Sequence, residues 1–207
     1  MSLARLLWAE NADLAQASLE HRFARGLGDG TLPRADFQYY VGQDAFFLEA
    51  FARAYALALA HAPDGEGMRD FFELLAGVFE ELKLHASYAA RWDLDLAAVT
   101  PGGATLAYTD FLLVTAAPGN VGETCAAMTP CMRLYAFLGQ SLAGDGVRDD
   151  HPYAEWIRTY ASAEFAALAA QMEGLLDRYA TDTSRVRSAY RKALELELAF
   201  FEAAQSP

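Results

Sequence analysis

The segment Phe37-Gln-Tyr-Tyr-Val-Gly-Gln-Asp-Ala-Phe-Phe-Leu-Glu-Ala-Phe51 carries aromatic and apolar residues at steps of three and four. Such steps return the chain to nearly the same side of an α-helix, whereas a half-buried strand would alternate apolar and polar residues. The segment therefore predicts a helix with one apolar face. Outward from it in both directions, Ala, Leu, Glu and Arg dominate and the same steps recur, which predicts an all-α fold.

Turns rich in proline and glycine divide the chain into about seven helical segments. The segments cover roughly 3–25, 34–61, 67–91, from 103 to the proline at 118, from 120 to about 144, 152–180 and 183–205. We see no internal repeat, no low-complexity tract and no convincing strand. A chain of 207 residues is therefore interpreted as one domain, residues 1–207, folded as a single helical bundle.

Charge and composition exclude several classes of function. The net charge of −12 argues against binding to nucleic acid or to an anionic membrane, because both would need a basic face. The apolar run at residues 55–60 is far shorter than the ~20 residues that span a bilayer. The start of the chain has no pattern of a secretion signal, and two cysteines fit reduced thiols better than a disulfide framework. These features predict a cytoplasmic protein without a membrane segment.

Two acidic residues interrupt apolar helix faces. Asp44 lies on the same predicted face as Tyr40, Phe47 and Phe51, and Glu197 lies in the middle of the apolar stripe of the last helix. Burying a carboxylate costs several kcal/mol unless it is paired or hydrogen-bonded. Two such acids therefore indicate a polar pocket inside the bundle. The spacing is equally compatible with acids at the edges of the stripes or paired with arginines.

The fifth predicted helix contains a cysteine and a tyrosine on one face, Cys131 and Tyr135, directly after Pro130. A proline inside a helix removes a backbone hydrogen bond and frees a carbonyl one turn earlier. From the residues alone, Cys131 can be a reactive thiol or a small buried apolar side chain. It cannot pair with Cys125 in a straight helix, because six residues rise ~9 Å, beyond the ~7 Å limit on the Cα separation of a disulfide.

The order of several motifs along the chain resembles the TenA/thiaminase II family, and the resemblance covers essentially all of the sequence. Residues 37–51 look like the signature segment of that family. The other motifs are Gly28-Asp-Gly-Thr-Leu-Pro33, Ala107-Tyr108-Thr109, Pro130-Cys131-Met-Arg-Leu-Tyr135, His151-Pro-Tyr-Ala-Glu-Trp-Ile-Arg-Thr-Tyr160, and Glu197 three residues before Phe200-Phe201.

The resemblance implies a heme-oxygenase-like helical fold, a homotetramer, and an enzyme of thiamin salvage that needs no cofactor or metal. Its substrate would be 4-amino-5-aminomethyl-2-methylpyrimidine, hydrolysed to the hydroxymethyl compound and ammonia. Thiamin, cleaved to the same pyrimidine and its thiazole, is the other expected substrate. Which of these related pyrimidines is the physiological substrate is left open by the sequence.

The family's site residues carry over onto matching positions of this chain. Cys131 would be the nucleophile that adds to an electrophilic carbon of the pyrimidine ring, and Glu197 would move protons to the departing amine or ring nitrogen and from water. Asp44 would hydrogen-bond the ring nitrogen and the exocyclic amine. Tyr135 would support the thiol and the substrate, while Tyr108 and Tyr160 would line the pocket.

Phe47 departs from the family pattern, because a tyrosine commonly stands at this position and stacks on the pyrimidine. Stacking needs only the face of the ring, so Phe47 is expected to keep that role. The absent hydroxyl puts any hydrogen bond at this position in doubt. Cys131 places the chain in the cysteine-bearing branch of the family.

Other conspicuous residues receive structural interpretations. Glu81 and His85 are four residues apart and are expected to form a structural pair or an exposed contact. His21 is expected to be a structural residue at a helix end, and the Glu-x-x-His repeats of a di-iron bundle are absent from the sequence.

Two rival functions remain open at this point. One is a non-catalytic pyrimidine-binding or regulatory protein, against which stand the acidic charge and the retained Cys131 with both embedded acids. The other is an enzyme of the same fold acting on a different substrate.

Overall fold

The computed structural model describes residues 1–92, 94–144 and 146–205. This part of the chain contains α-helices and one short 3-10 helix. No strand occurs in this part of the chain. The helices are α1 (Leu3–Glu10), α2 (Ala12–Glu20), α3 (Arg22–Asp29), α4 (Arg34–His61), α5 (Gly65–Arg91), α6 (Gly103–Ala116), α7 (Val121–Ala143), α8 (Ala154–Ala161), α9 (Ala163–Tyr179) and α10 (Ser184–Ala203), with the 3-10 helix at Leu96–Ala98.

The all-α prediction is confirmed, and each predicted segment is helical. Two of the segments are divided further. The first breaks at Asn11 and His21, and the sixth breaks at Ser162. His21 and Ser162 adopt extended backbone and accept hydrogen bonds from the amides of Phe23 and Phe165, at 3.2 and 3.1 Å. These side chains cap the first turns of α3 and α9, and the spacing of apolar residues does not predict such caps.

Helix α7 lies at the centre of the bundle. It contacts α8, α9 and α10 extensively, and α6 and the N-terminal helices more lightly. Residues of α7 are buried around nearly its whole circumference between Val121 and Gly139. Helix α4 packs against α5 on one side and α6 on another. A helix that is buried on all sides can present side chains inward to several neighbours at once, which is the condition for an internal site.

Helices α7 and α8 approach each other closely at Gly139. A Cβ atom at this position would lie 2.3 Å from the carbonyl carbon of Tyr160 and 2.6 Å from the amide nitrogen of Ala161. Real Cβ contacts are never so short, so only glycine permits this crossing. Gly139 thereby sets the position of the backbone that carries Tyr160.

The turn at Gly28-Asp-Gly-Thr-Leu-Pro33 is held by local hydrogen bonds. Gly30 ends α3 in the left-handed conformation, at φ 78°. The Asp29 carboxylate accepts hydrogen bonds from the Thr31 amide and hydroxyl, at 3.0 and 2.5 Å. The Tyr153 hydroxyl donates to the Leu32 carbonyl at 2.5 Å. The motif therefore fixes how α4 leaves the N-terminal helices.

No helix in the described ranges has the length and apolar character needed to cross a membrane.

Candidate active site

A small cavity between α4, α5, α7, α8 and α9, called the inner cavity below, brings together most of the residues singled out from the sequence. Its volume is about 10 Å³, room for roughly one water molecule. Its lining residues are Asp44, Phe47, Leu48, Phe51, Glu81, Cys131, Met132, Tyr135, Tyr160 and Phe165. Residues from five helices thus converge on one point next to the central helix.

Cys131 lines the inner cavity, and its thiol interacts with the Glu197 carboxyl of α10 and favours the ionised form of that carboxyl. The Tyr108 hydroxyl of α6 donates to Glu197 Oε1 at 2.7 Å. Glu197 and Tyr108 are almost fully buried, at 2% and 1% exposed, and neither lines the inner cavity itself. Glu197 therefore lies behind Cys131 as seen from the cavity, and the Tyr108 hydroxyl holds the Glu197 carboxyl in place.

Burial shifts the pKa values of the Cys131 thiol and the Glu197 carboxyl. It raises the pKa of the Cys131 thiol well above its ordinary value, and the carboxylates of Glu197, Glu81 and Asp44 raise that pKa further. Burial also raises the pKa of Glu197 to about 8, although hydrogen bonds from Tyr108 and Cys131 favour its ionised form. Cys131 is therefore a thiol at rest, and Glu197 is the adjacent group that can exchange a proton with it near neutral pH.

Asp44 and His85 form a buried pair on the other side of the inner cavity. His85 Nε2 lies 2.6 Å from Asp44 Oδ2, and His85 Nδ1 lies 3.0 Å from the carbonyl oxygen of Glu81. A carbonyl oxygen can only accept, so Nδ1 carries a hydrogen, and a contact of 2.6 Å to a carboxyl oxygen places a second proton between the two side chains.

The contact with His85 explains why the Asp44 carboxylate can be buried on an apolar helix face. Asp44 and His85 are 3% and 1% exposed. Burial opposes the charge on His85, but the Asp44 carboxylate overrides it and raises the pKa of His85 to about 9. The cation is thus a histidine and not an arginine, and Asp44 Oδ1 is left for a partner in the cavity.

Glu81 provides a second acid at the inner cavity. Its carboxylate accepts a hydrogen bond from the Tyr160 hydroxyl. Burial and the charge of Asp44 raise the pKa of Glu81 to about 7, against the opposing effects of His85 and Tyr160. Glu81 therefore takes up or releases a proton in the neutral range, like Glu197.

The aromatic residues form the walls of the cavity. The Trp156 indole donates to the Tyr40 hydroxyl at 3.3 Å, and the Tyr40 hydroxyl donates to that of Tyr135 at 3.1 Å. The hydroxyl hydrogen of Tyr135 is consequently left for an acceptor in the cavity. The rings of Tyr135 and Tyr160 lie edge to face, with centroids 4.8 Å apart. These contacts fix the phenols before any ligand binds.

Phe47 lines the inner cavity and is 3% exposed. Its ring centroid lies 4.6 Å from that of Tyr108 and 5.3 Å from that of Phe51. Its position is compatible with stacking on a flat ring, the role expected for it from the sequence.

All seven predicted site residues lie at or directly behind the inner cavity. They are Asp44, Phe47, Tyr108, Cys131, Tyr135, Tyr160 and Glu197. Sequence reasoning undervalued Glu81 and His85, which lie inside the site and not in a surface contact. Their spacing of four residues was visible, but nothing local to α5 indicated that Asp44 and Tyr160 would face them.

No group of three or more His, Cys, Asp or Glu side chains among the described residues could hold a metal ion. Both ring nitrogens of His21 are occupied, since Nδ1 accepts from the Phe23 amide and Nε2 lies 2.8 Å from Glu202. His21 is thus a helix-end residue, as expected.

Residues 8–206 match the TENA/THI-4/PQQC family. Among curated relatives, an aminopyrimidine aminohydrolase from Halalkalibacterium halodurans is 36% identical over 189 residues, which cover 89% of this chain and 84% of the relative. The mitochondrial bifunctional TH2 protein of Arabidopsis thaliana is 38% identical over 95% of this chain. The chain spans only 36% of the length of that plant protein.

Solved structures show the same architecture. A TenA family transcription regulator from Silicibacter sp. TM1040 superimposes with a TM-score of 0.91 at 29% identity, covering 98% of this chain and 96% of that one. Heme oxygenase-1 from the cyanobacterium Synechocystis sp. PCC6803 superimposes with a TM-score of 0.64 at 14% identity, covering 100% and 93% of the two chains. The heme-oxygenase-like fold expected from the sequence is confirmed.

Proposed function

This chain belongs to the TENA/THI-4/PQQC family, and from that membership we propose that it is an aminopyrimidine aminohydrolase of thiamin salvage. Water replaces the amine of 4-amino-5-aminomethyl-2-methylpyrimidine, which gives the hydroxymethylpyrimidine and ammonia. In the same way, water replaces the thiazolium nitrogen of thiamin, which gives the same pyrimidine, the thiazole and a proton.

Cys131 and Glu197 carry the covalent steps of the proposal. The thiol proton passes to the Glu197 carboxylate as Sγ adds to an electrophilic ring carbon, and the electron pair displaced in the ring is taken up by a protonated ring nitrogen. Return of that pair expels the amine, which accepts a proton from Glu197. Water then adds to the exocyclic methylene carbon and gives a proton to Glu197, and Sγ leaves the ring and takes this proton from Glu197. Thiol and aromatic ring are both restored.

Asp44 orients the ring in this proposal. One of its oxygens is engaged by His85, so the other can accept hydrogen bonds from the exocyclic amine and a protonated ring nitrogen. A protonated ring is more electrophilic, which favours attack by sulfur. Phe47 stacks on one face of the ring, and the Tyr135 hydroxyl donates to the substrate. The steps draw only on side chains of the chain itself.

The observation that carries the proposal is the pair of contacts made by Glu197, with the Cys131 thiol on one side and the Tyr108 hydroxyl on the other. A buried acid poised near neutral pH next to a thiol is the arrangement that nucleophilic catalysis by cysteine needs.

Replacing Cys131 with Ala tests it. We expect release of ammonia from the aminomethylpyrimidine to fall by orders of magnitude, because the nucleophile is removed, while the circular-dichroism spectrum and melting temperature stay close to those of the wild type. The matched control is Cys125→Ala, which removes the other cysteine of α7, since Cys125 is fully buried and does not line the inner cavity.

Full activity in Cys131→Ala would refute the nucleophile assignment. A wild-type chain that binds the pyrimidine and releases no ammonia from it would support the non-catalytic binding protein instead.

The same family membership leads us to propose a homotetramer in the cytoplasm. An apolar stripe on α5 supports the association, since Met68, Phe72 and Phe79 are 48%, 61% and 54% exposed. Large exposed apolar patches of this kind mark surfaces that another protein covers.

A further inference from the structure

A second cavity, called the outer cavity below, adjoins the inner one. It has a volume of about 230 Å³ and lies between α4, α5, α7, α8 and α9. It is lined by Tyr55, Leu74, Gly77, Val78, Glu80, Glu81, Met132, Thr159, Ser162, Glu164, Phe165 and Leu168. Glu81, Met132 and Phe165 line both cavities and therefore form the boundary between them.

The sizes of the two cavities indicate how a substrate is accommodated. The inner cavity, at about 10 Å³, is smaller than a pyrimidine ring, so a ring next to Cys131 must displace side chains of the lining. Met132 is flexible, and the space into which boundary side chains can move is the outer cavity. A substituent that extends from such a ring past Glu81, Met132 or Phe165 would enter the outer cavity.

The lining of the outer cavity suits a particular class of group. Most of it is apolar, from Leu74, Val78, Phe165 and their neighbours, which favours a flat heteroaromatic ring. Its charged residues are the acids Glu80, Glu81 and Glu164, with no Lys, Arg or His in the lining. Glu80 is partly neutralised by Lys83 at 2.6 Å, and Glu81 is ionised above its pKa of about 7, so Glu164 and ionised Glu81 supply most of the field. A cation is attracted there and an anion is repelled.

We propose that the outer cavity receives the leaving group of the reaction, an amine or a heteroaromatic cation of the size of the thiazolium ring, while the pyrimidine occupies the inner cavity. This assignment rests on the proposed function. The geometry behind it is the shared boundary of Glu81, Met132 and Phe165, and the position of Glu81 next to the Tyr160 hydroxyl. The outer cavity thus sets how large a leaving group the enzyme accepts.

Filling the outer cavity should separate large from small leaving groups. A Cβ atom at Gly77 would lie 3.5 Å from Leu168 Cδ1, an ordinary contact, so a longer side chain there extends into the outer cavity. We expect Gly77→Leu to lower kcat/KM for thiamin about tenfold or more, while kcat/KM for the aminomethylpyrimidine changes at most about threefold. If thiamin is cleaved too slowly, its inhibition constant against aminomethylpyrimidine hydrolysis should rise by the same factor.

The matched control is Gly174→Leu on α9. A Cβ at Gly174 meets no atom within 4 Å, and this residue lines neither cavity, so the ratio of the two kcat/KM values should stay at the wild-type level. If Gly77→Leu folds poorly, Gly77→Ala replaces it, because the Cβ fits and alanine favours the helix. The same direction of change is expected, with a smaller size.

Equal effects of Gly77→Leu on both substrates, or no effect on either, would overturn the assignment of the outer cavity. Such a result would leave the proposed function standing as long as the wild type hydrolyses the aminomethylpyrimidine. Wild-type inactivity on the aminomethylpyrimidine, by contrast, would contradict the proposed function itself.

Discussion

Glu197 has surroundings that change its response to pH. The side chain is buried beside the Cys131 thiol and the Tyr108 hydroxyl, and burial raises its pKa from an ordinary value near 4.5 to about 8. The folded chain therefore binds this proton more tightly than the unfolded chain does. The resulting contribution to stability is complete below pH 4.5 and is lost as the pH rises through 8.

We expect Glu197→Gln to alter both stability and activity. Glutamine cannot ionise, so the free energy of unfolding of the variant should decline less than that of the wild type between pH 5 and pH 8, as measured by urea denaturation at several pH values. Ammonia release should fall about 10²–10⁴-fold, the range for a positioned acid–base group, while binding of the pyrimidine persists.

Glu81 and His85 also make the free energy of unfolding depend on pH, but they do not affect the difference between the wild type and Glu197→Gln. Their pKa values are raised to about 7 and about 9, so both groups also lose stabilising protons as the pH rises. They are present in both proteins, and their contribution cancels when the two curves are subtracted. Parallel curves for wild type and variant, or an unchanged rate across pH, would show that Glu197 does not handle protons in this site.

Among the elements, the crossing of α7 and α8 has the strictest spatial requirement. It places Cys131 and Tyr135 from one helix opposite Tyr160 from the other, and at Gly139 the α7 backbone leaves no room for a Cβ against the backbone of Tyr160 and Ala161. The helix that carries Cys131 is thereby held in position against the helix that supplies a cavity wall.

We expect Gly139→Ala to destabilise the protein. Its Cβ would lie 2.3 Å from the Tyr160 carbonyl carbon, so α8 must shift, at a cost of about 1–3 kcal/mol typical of overpacking. Thermal unfolding measures the loss, and activity should fall with it, because Tyr160 moves relative to Glu81. Gly174→Ala is the control, since its Cβ meets no atom within 4 Å and alanine should raise stability by about 0.5–1 kcal/mol. A melting temperature for Gly139→Ala at or above the wild-type value would contradict the argument.

On the scale of the whole molecule, the surface stripe of α5 predicts association. Met68, Phe72, Leu75, Phe79 and Leu82 recur at steps of four and three along this helix, and Leu75, Phe79 and Leu82 also border a groove against α4. The site described above lies on the other side of α5. Disruption of the stripe should therefore change the oligomeric state of the protein more than its catalytic activity.

If the chain forms the proposed tetramer, we expect Phe72→Glu combined with Phe79→Glu to convert it into a smaller species, because two charges per chain would have to be buried in the interface. Light scattering coupled to size-exclusion chromatography measures the mass. Leu106→Glu combined with Val114→Glu on α6 is the control, since those side chains are exposed and off the stripe, at 47% and 73%. A wild-type mass of one chain, or an unchanged mass in the α5 variant, would contradict the proposed assembly.

Local patterns in the chain were sufficient for the helical segments and for most of the candidate site. Periodicity acts over three to four residues, so it identified the helices around Asp44, Cys131 and Glu197 without any knowledge of packing. The breaks at His21 and Ser162 escaped it, because a single capping side chain ends a helix without changing the apolar pattern around it. The motifs resembling a known family then supplied the roles of the site residues.

Contacts between distant residues arose from packing alone. Asp44 and His85 are 41 residues apart in the chain, and Glu81 and Tyr160 are 79 residues apart. The local sequence around each residue therefore contains no sign of its partner. The sequence left open whether Asp44 was an edge acid or paired with an arginine, and the fold supplied a buried histidine instead. The two adjoining cavities also exist only where five helices converge, since the space between helices depends on how their side chains interlock.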